Sequence, residues 1–433
     1  MKIRILPAVA ILALSARFLH ADPAPETPQP TPAVEPAKPA DLPPPKPLGN
    51  EVGKGLAWLA KAQNSDGGWG QGGGWRINRE SGQNGARVEG DQIPDPSDIG
   101  NTAIALQAFL RAGTKLDAGE HSQVAAKAAA FLIAQLEADK DESLFVTPIR
   151  DTQLQSKIGV YVDTFLSAQI LADLKGRLPD PADELRREKL LDKVVAKIQK
   201  HQKDDGAFAG NNGWASTLSQ GICSKSLNAA FAVGAKVDLA VLEKDHQQNA
   251  AGLDRATGVV GGAGAADAGV EIYRYASKLG GMTDFARTNT LRRDELEKTV
   301  AAPTVAAPEK EVAKKELQKI DQADADQKVL LKQVAGRAQE GGFVAGFGNH
   351  GGEEFISYMN IGEALRAGGG EEWKKWDESM TKTLHTAQNA DGSWAGQHCI
   401  TGRTFCTASA LMVLMTDRAA NKPVVAKNEA PKQ

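Results

Sequence analysis

Aromatic side chains are scarce, since Trp, Tyr and Phe make up 5% of the 433 residues. A cavity meant to hold a carbocation against ring faces would have little to build from. Cysteine occurs three times, at Cys223, Cys399 and Cys406, so at most one intramolecular disulfide can form. Net positive charge is also missing. With 51 basic against 54 acidic residues the formal charge is −3, which leaves no field to hold a phosphate backbone, and nucleic acid is not an expected partner. No segment after the N terminus approaches the ~20 uninterrupted apolar residues of a membrane span.

What is present begins with Lys2 and Arg4, an apolar stretch from Ile5 to Leu14, and small residues up to Ala21. Residues 1–21 thus read as a secretory signal peptide, and a secreted or periplasmic location is expected. If uncleaved, the segment would act as a membrane anchor. Proline dominates residues 22–48, as in an extended, disordered tether. Residues 418–433 are polar and lysine-rich and read as a disordered tail. Folding is expected over residues 49–417, with an inserted Lys/Glu/Ala-rich arm at about residues 288–321.

Between tether and tail a single signature recurs, Gln-x-x-Asp-Gly-x-aromatic. Its clear copies are Gln63, Asp66, Gly67 and Trp69; Gln202, Asp205, Gly206 and Phe208; and Gln388, Asp391, Gly392 and Trp394. Degenerate copies at residues 135–145, 248–264 and 339–343 bring the count to six. Each follows a charged amphipathic stretch and precedes a smoother one rich in Ala, Gly and Ser, which predicts outer and inner helices in alternation. Physically, the glycine permits a positive φ and the aspartate accepts from nearby backbone N–H groups. The glutamine can bond orphan carbonyls or the neighbouring turn.

These turns resemble the QW-type motif of the squalene-cyclase and prenyltransferase repeat superfamily, carried most clearly by Gln63 to Trp69 and Gln388 to Trp394. The resemblance spans Gly49 to Asp417. It implies an all-α (α/α)6 toroid, six inner helices ringed by six outer ones around a central cavity. The chemistries of that superfamily are not matched. Asp95-Pro-Ser-Asp98 lacks the Asp-x-Asp-Asp spacing of a terpene cyclase, and Asp98 reads as a helix N-cap. Gly352-Glu353-Glu354-Phe355 and Gly402-Arg403-Thr404-Phe405 lack the zinc ligands of a prenyltransferase. No cysteine lies in a Gly-Cys-Gly-Glu-Gln thioester run.

Parallel inner helices would gather their N-termini at one mouth, where unpaired N–H groups favour acidic ligands. The candidate catalytic residues there are Glu353, Glu354, His350, His398 and Arg403. His350, His398 and Cys399 are metal-ligand candidates, with zinc as the metal, although no cofactor is expected outright. The bland alternative has solvated histidines, capping glutamates and Arg403 paired with Glu353 or Glu354. Cys223 and Cys406 fall at equivalent points of repeats three and six, across the ring from each other, leaving Cys399–Cys406 as the candidate disulfide. Polar inner-helix residues, Tyr161, Asp163, Gln169, Glu271, Tyr273, Arg274, Tyr358 and Asn360, are expected to line the cavity.

The resulting expectation is a toroid that binds a small-molecule, polysaccharide or peptide ligand without the superfamily's catalysis. The alternatives are a metal-assisted hydrolase or lyase acting at the mouth on a polar extended substrate, and a divergent terpene cyclase.

Overall fold

The computed structural model describes residues 44–73, 76–78, 86–88, 94–262 and 265–419. The expected signal peptide, most of the tether and nearly all of the tail lie outside them. No helix among the described residues is long and apolar enough to cross a membrane.

Among the described residues twelve principal helices alternate. The outer ones are α1 (Asn50–Ala62), α3 (Ser122–Ala138), α5 (Pro181–His201), α7 (Leu239–Ala250), α9 (Ala307–Arg337) and α11 (Glu371–Ala387). The inner ones are α2 (Ile99–Ala112), α4 (Val162–Asp173), α6 (Thr217–Ala232), α8 (Glu271–Ala301), α10 (Gly352–Gly368) and α12 (Arg403–Leu414). Burial separates the two sets. In α1 the residues Val52, Gly55, Leu56 and Leu59 are buried at three- and four-residue spacing, the single apolar stripe of a surface helix. In α10 every residue from Gly352 to Arg366 is buried, as in a helix packed on all sides.

Each inner helix packs on the next, α2 on α4, then α6, α8, α10 and α12, and α12 returns to α2. The fold is therefore a closed (α/α)6 toroid, as expected, and nearly all-helical. A two-stranded antiparallel hairpin, Arg76–Asn78 with Ala86–Val88, is the exception among the described residues.

The repeated turns join the rings. Gln63 Nε2 donates to Gly67 O at 2.8 Å and to Val124 O of α3 at 2.9 Å. Gln202 likewise donates to Val241 O of α7 at 3.2 Å, and Gln388 to Glu51 O of α1 at 2.9 Å. Asp66, Asp205 and Asp391 each accept from the backbone N–H two residues on. The indoles of Trp69 and Trp394 reach back to Leu59 O and Leu384 O, both at 2.8 Å, satisfying carbonyls that the last helical turn leaves orphaned. Gly67, Gly206 and Gly392 have φ of 91°, 80° and 92°. A Cβ at each would lie 2.7, 2.3 and 2.7 Å from a carbonyl of the next outer helix. The turn is thus glycine-restricted by both conformation and space.

The segment set apart in the sequence at residues 288–321 is helical on both sides of residues 302–306. It extends α8 and α9 into an antiparallel pair beyond the ring. Arg293 bridges to Asp321 at 2.7 Å and to Asp324 at 3.1 Å, and Arg292 to Glu316 at 3.1 Å.

Candidate functional site

The N-termini of α10 and α12 and the loops before them form the site. The two loops are joined directly, Gln397 N to His350 O at 2.8 Å and Gly352 N to Ile400 O at 3.1 Å. Gln153, at the start of a short helix before α4, accepts from Thr401 N and Gly402 N at 3.1 and 2.9 Å and so fixes the second loop.

Glu353 and Glu354 occupy the first turn of α10 and are both fully buried, at 0% exposure. Their partners differ. Glu354 accepts from Gly351 N at 2.9 Å, Phe347 N at 3.1 Å and the Tyr273 hydroxyl of α8, and it forms an ion pair at 3.3 Å with His398 Nε2, which also donates to Asn349 O at 2.8 Å. Glu353 accepts from Ile400 N at 3.2 Å, and its Oε1 has no partner among the described residues. Burial, with Glu354 adding its charge, pushes the Glu353 carboxyl up to about 7. Burial would raise Glu354 too, but the bonds from His398 and Tyr273 outweigh it, and its carboxyl titrates below the usual range. His398, half-buried, would be lowered by burial. Its bonds to Cys399 and Glu354 instead raise it to about 11. Near neutral pH the site therefore sets a partly protonated carboxyl beside a carboxylate–imidazolium pair.

Glu353, Glu354 and His398 each offer one ligand atom within 4.8 Å of the others. This set differs from the expected His350, His398 and Cys399. His350 is drawn off by stacking on Phe355 at 5.8 Å between centroids, and burial lowers its basicity.

The segment before α10 covers the acids. Gly346 has φ 58°, and a Cβ there would lie 2.5 Å from Glu354 Oε1, so the backbone passes directly over that carboxylate. Phe347 is 51% exposed and its ring sits 5.2 Å from that of His398. Beside it lies a groove of about 370 Å3 between this segment and the start of α8, lined by Glu271, Arg337 and Phe343 among others.

Several expectations need correction. Arg403 does not face the mouth acids. It pairs with Asp391, donates to Ser393 Oγ at 3.0 Å and lies 4.7 Å over the Trp58 ring, so it serves the repeated turn. The Cys399–Cys406 disulfide is absent and all three cysteines remain thiols. Cys406 is buried and donates to Ile400 O at 3.4 Å, whereas Cys399, at φ 49°, turns toward His398. Asp98 caps α2, accepting from Asn101 N at 2.8 Å, and Asp95 accepts from Gln71 N and Gly72 N at 2.9 and 2.7 Å. Among the polar inner-helix residues, Tyr273 reaches the acids, Glu271 lines the groove and Gln169 lines a cavity at the opposite end. Sequence reasoning missed Gln153, which no repeat signature marks. It also missed the pairing of Tyr273 with Glu354, visible beforehand only as a tyrosine near the start of an inner helix.

No family model matches the chain, and no curated protein does. Among solved structures it is similar to an inactive variant of an α-1,6-mannanase from Salegentibacter sp., in complex with α-1,6-mannotriose. The identity is 10% and the TM-score 0.48, over 85% of this chain and 98% of that one. The resemblance to the squalene-cyclase and prenyltransferase repeat superfamily is accordingly withdrawn. No model of that superfamily matches the chain. The QW-type reading of the turns falls with it, and the terpene-cyclase alternative falls because Asp95 and Asp98 are spent on backbone N–H groups of a loop and a helix N-terminus. Their bonding in this molecule is that of a toroid joint.

Proposed function

We propose that the protein is a hydrolase acting on a polar, extended substrate, a polysaccharide chain, at the N-terminal mouth of the toroid. The observation that carries this is the contrast between Glu353 and Glu354, two adjacent carboxyls whose surroundings drive their proton affinities apart. Glu353 holds a proton near neutral pH and can give it to a leaving oxygen. Glu354, kept ionised by His398 and Tyr273, can take a proton from water. Substrate would enter along the groove beside Phe347, and the segment through Gly346 must swing away to admit it. What favours this reading over a binding toroid without catalysis is that Glu353, beyond holding Ile400 N, keeps a raised proton affinity and an Oε1 with no partner among the described residues.

The test is a polysaccharide panel that includes α-1,6-mannan, assayed for new reducing ends. Glu353→Gln and Glu354→Gln should each lower the rate by about 10²–10⁴-fold. Hydrolysis undiminished in either variant, or polymer bound tightly and never cleaved, would overturn the proposal.

A further inference from the structure

A short helix, Gln153–Ile158, lies in the chain between α3 and α4. Six residues cannot hold a helix by propensity, so bonds to its neighbours must. Thr152 caps it, accepting from Gln155 N at 3.2 Å. Gln155 Nε2 donates to Asp163 of α4 at 2.5 Å. Ser156 O and Lys157 O accept from Trp214 N and Ala215 N, in the loop before α6, at 3.3 and 2.6 Å. The helix is thus fixed to the second and third helix pairs, and Gln153, Leu154 and Gln155 are buried at its start.

Its first residue reaches the other way, to the loop that meets the acids. Gln153 N donates to Gln71 Oε1 at 2.8 Å. The Gln153 carboxamide accepts from Thr401 N and Gly402 N at 3.1 and 2.9 Å and donates to Thr401 Oγ1 at 3.0 Å. An apolar side chain of that length could make none of these last three bonds. A Cβ at Gly402 would lie 2.7 Å from Gln71 O and 3.2 Å from Gln153 Oε1, so the loop is pressed against both glutamines. One residue before Thr401, the buried Ile400 turns its N–H to Glu353 Oε2 at 3.2 Å and its carbonyl to Gly352 N at 3.1 Å. Ile400 therefore stands between Gln153 and the first turn of α10.

We propose that Gln153 is a positioning residue for Glu353, holding residues 400–402 so that the Ile400 N–H stays aimed at its carboxyl. That N–H favours the ionised form of Glu353, against the burial that raises it to about 7. Losing its aim would raise the carboxyl further, and a hydrogen bond to a charged group is strong enough to move it by roughly one pH unit. The titratable groups facing Glu353 among the described residues are Glu354 on its own helix, His398 on the second loop, Tyr273 on α8 and Cys406 on α12. Gln153 adds no charge to them, so its replacement reaches Glu353 only through the loop. Its part in hydrolysis rests on Glu353 as the proton donor, whereas the aiming of Ile400 does not.

Gln153→Met in the full chain tests it. The variant's melting temperature should differ between pH 4 and pH 8 by more than the native chain's does, because a carboxyl raised further loses more stability as pH rises. In the Glu353→Gln background the same replacement should leave that difference unchanged. On any polymer the native chain cleaves, kcat should fall about ten-fold with KM unchanged, since a weaker acid gives up its proton less readily. The alkaline loss of rate should begin roughly one pH unit higher. If Gln153→Met does not melt cooperatively, Gln153→Asn, which keeps the amide and shortens its reach, should widen the difference in the same sense. A difference unchanged in the variant that melts, or widened equally without Glu353, would assign Gln153 to the fold alone and overturn the proposal. Widening that requires Glu353, in a chain that cleaves no polysaccharide, would uphold the positioning and remove the hydrolysis.

Discussion

Glu353 and Glu354 are neighbours in sequence, equally buried, and differ only in who bonds to them. Burial raises the folded-state carboxyl of Glu353 from 4.5 to about 7. Its contribution to stability is therefore fully present below about pH 4.5 and is lost as pH rises toward 7. The loss levels off at roughly 3 kcal/mol. Glu353→Gln removes that loss, so the variant should melt at a higher temperature than the native chain at pH 8 and at a similar one at pH 4. It should do so while losing hydrolysis. Equal melting differences at both pH values would contradict a neutral buried acid. Native hydrolysis should fall as pH rises through about 7, where Glu353 gives up its proton. The convergence of Glu353, Glu354 and His398 was legible in the sequence because an inner helix places its first turn at the mouth. The fate of Arg403 was not. Its partners, Asp391 and Trp58, come from the preceding turn and from the first outer helix, a pairing that exists only once the ring has closed.

At the scale of elements, the repeated turn is the most readable feature of the chain, because its chemistry is local. Aspartate, glycine and aromatic fall within seven residues of the glutamine, so spacing alone reveals them. Gly392→Ala combines φ 92° with a Cβ 2.7 Å from Lys54 O and should cost about 1–3 kcal/mol, measured by chemical denaturation. Gln388→Ala loses the donor to Glu51 O and Gly392 O and should cost about 1 kcal/mol, with activity unchanged per folded molecule. The covering segment was not legible as a cover. Residues 339–343 read as a degenerate turn, yet in the structure the chain just after them brings the backbone at Gly346 against Glu354. Gly346→Ala should lower hydrolysis more than it lowers melting temperature, and a proportional fall in both would assign the glycine to packing alone.

Over the whole molecule, closure depends on the ends of the folded chain. Gln388, in the last repeat, donates to Glu51 in the first helix, and α12 packs on α2. The far halves of α8 and α9 are joined by ion pairs such as Arg293–Asp321 and by the buried Ala313 and Ile320. Ion pairs of that kind contribute about 0–1 kcal/mol each. Replacing residues 290–320 with a short Gly/Ser turn should leave a folded toroid with a melting temperature within several degrees of native. Loss of cooperative melting would show that the arm belongs to the core.

Amphipathic period, small-residue inner stretches and the recurring turn together determined the helix pairs and their number, because each acts within a few residues of chain. Closure into a ring was expected only through the family resemblance, and the packing of α12 on α2 is what shows it. Only the tertiary structure decided which side chains meet. Tyr273 against Glu354, Gln153 against Gly402, and Lys225 against Glu363 join residues 81, 249 and 138 positions apart. Periodicity specifies which face of a helix turns inward. The charge state of a buried carboxyl depends on desolvation and on donors from distant repeats, and those distances exist only in the closed toroid.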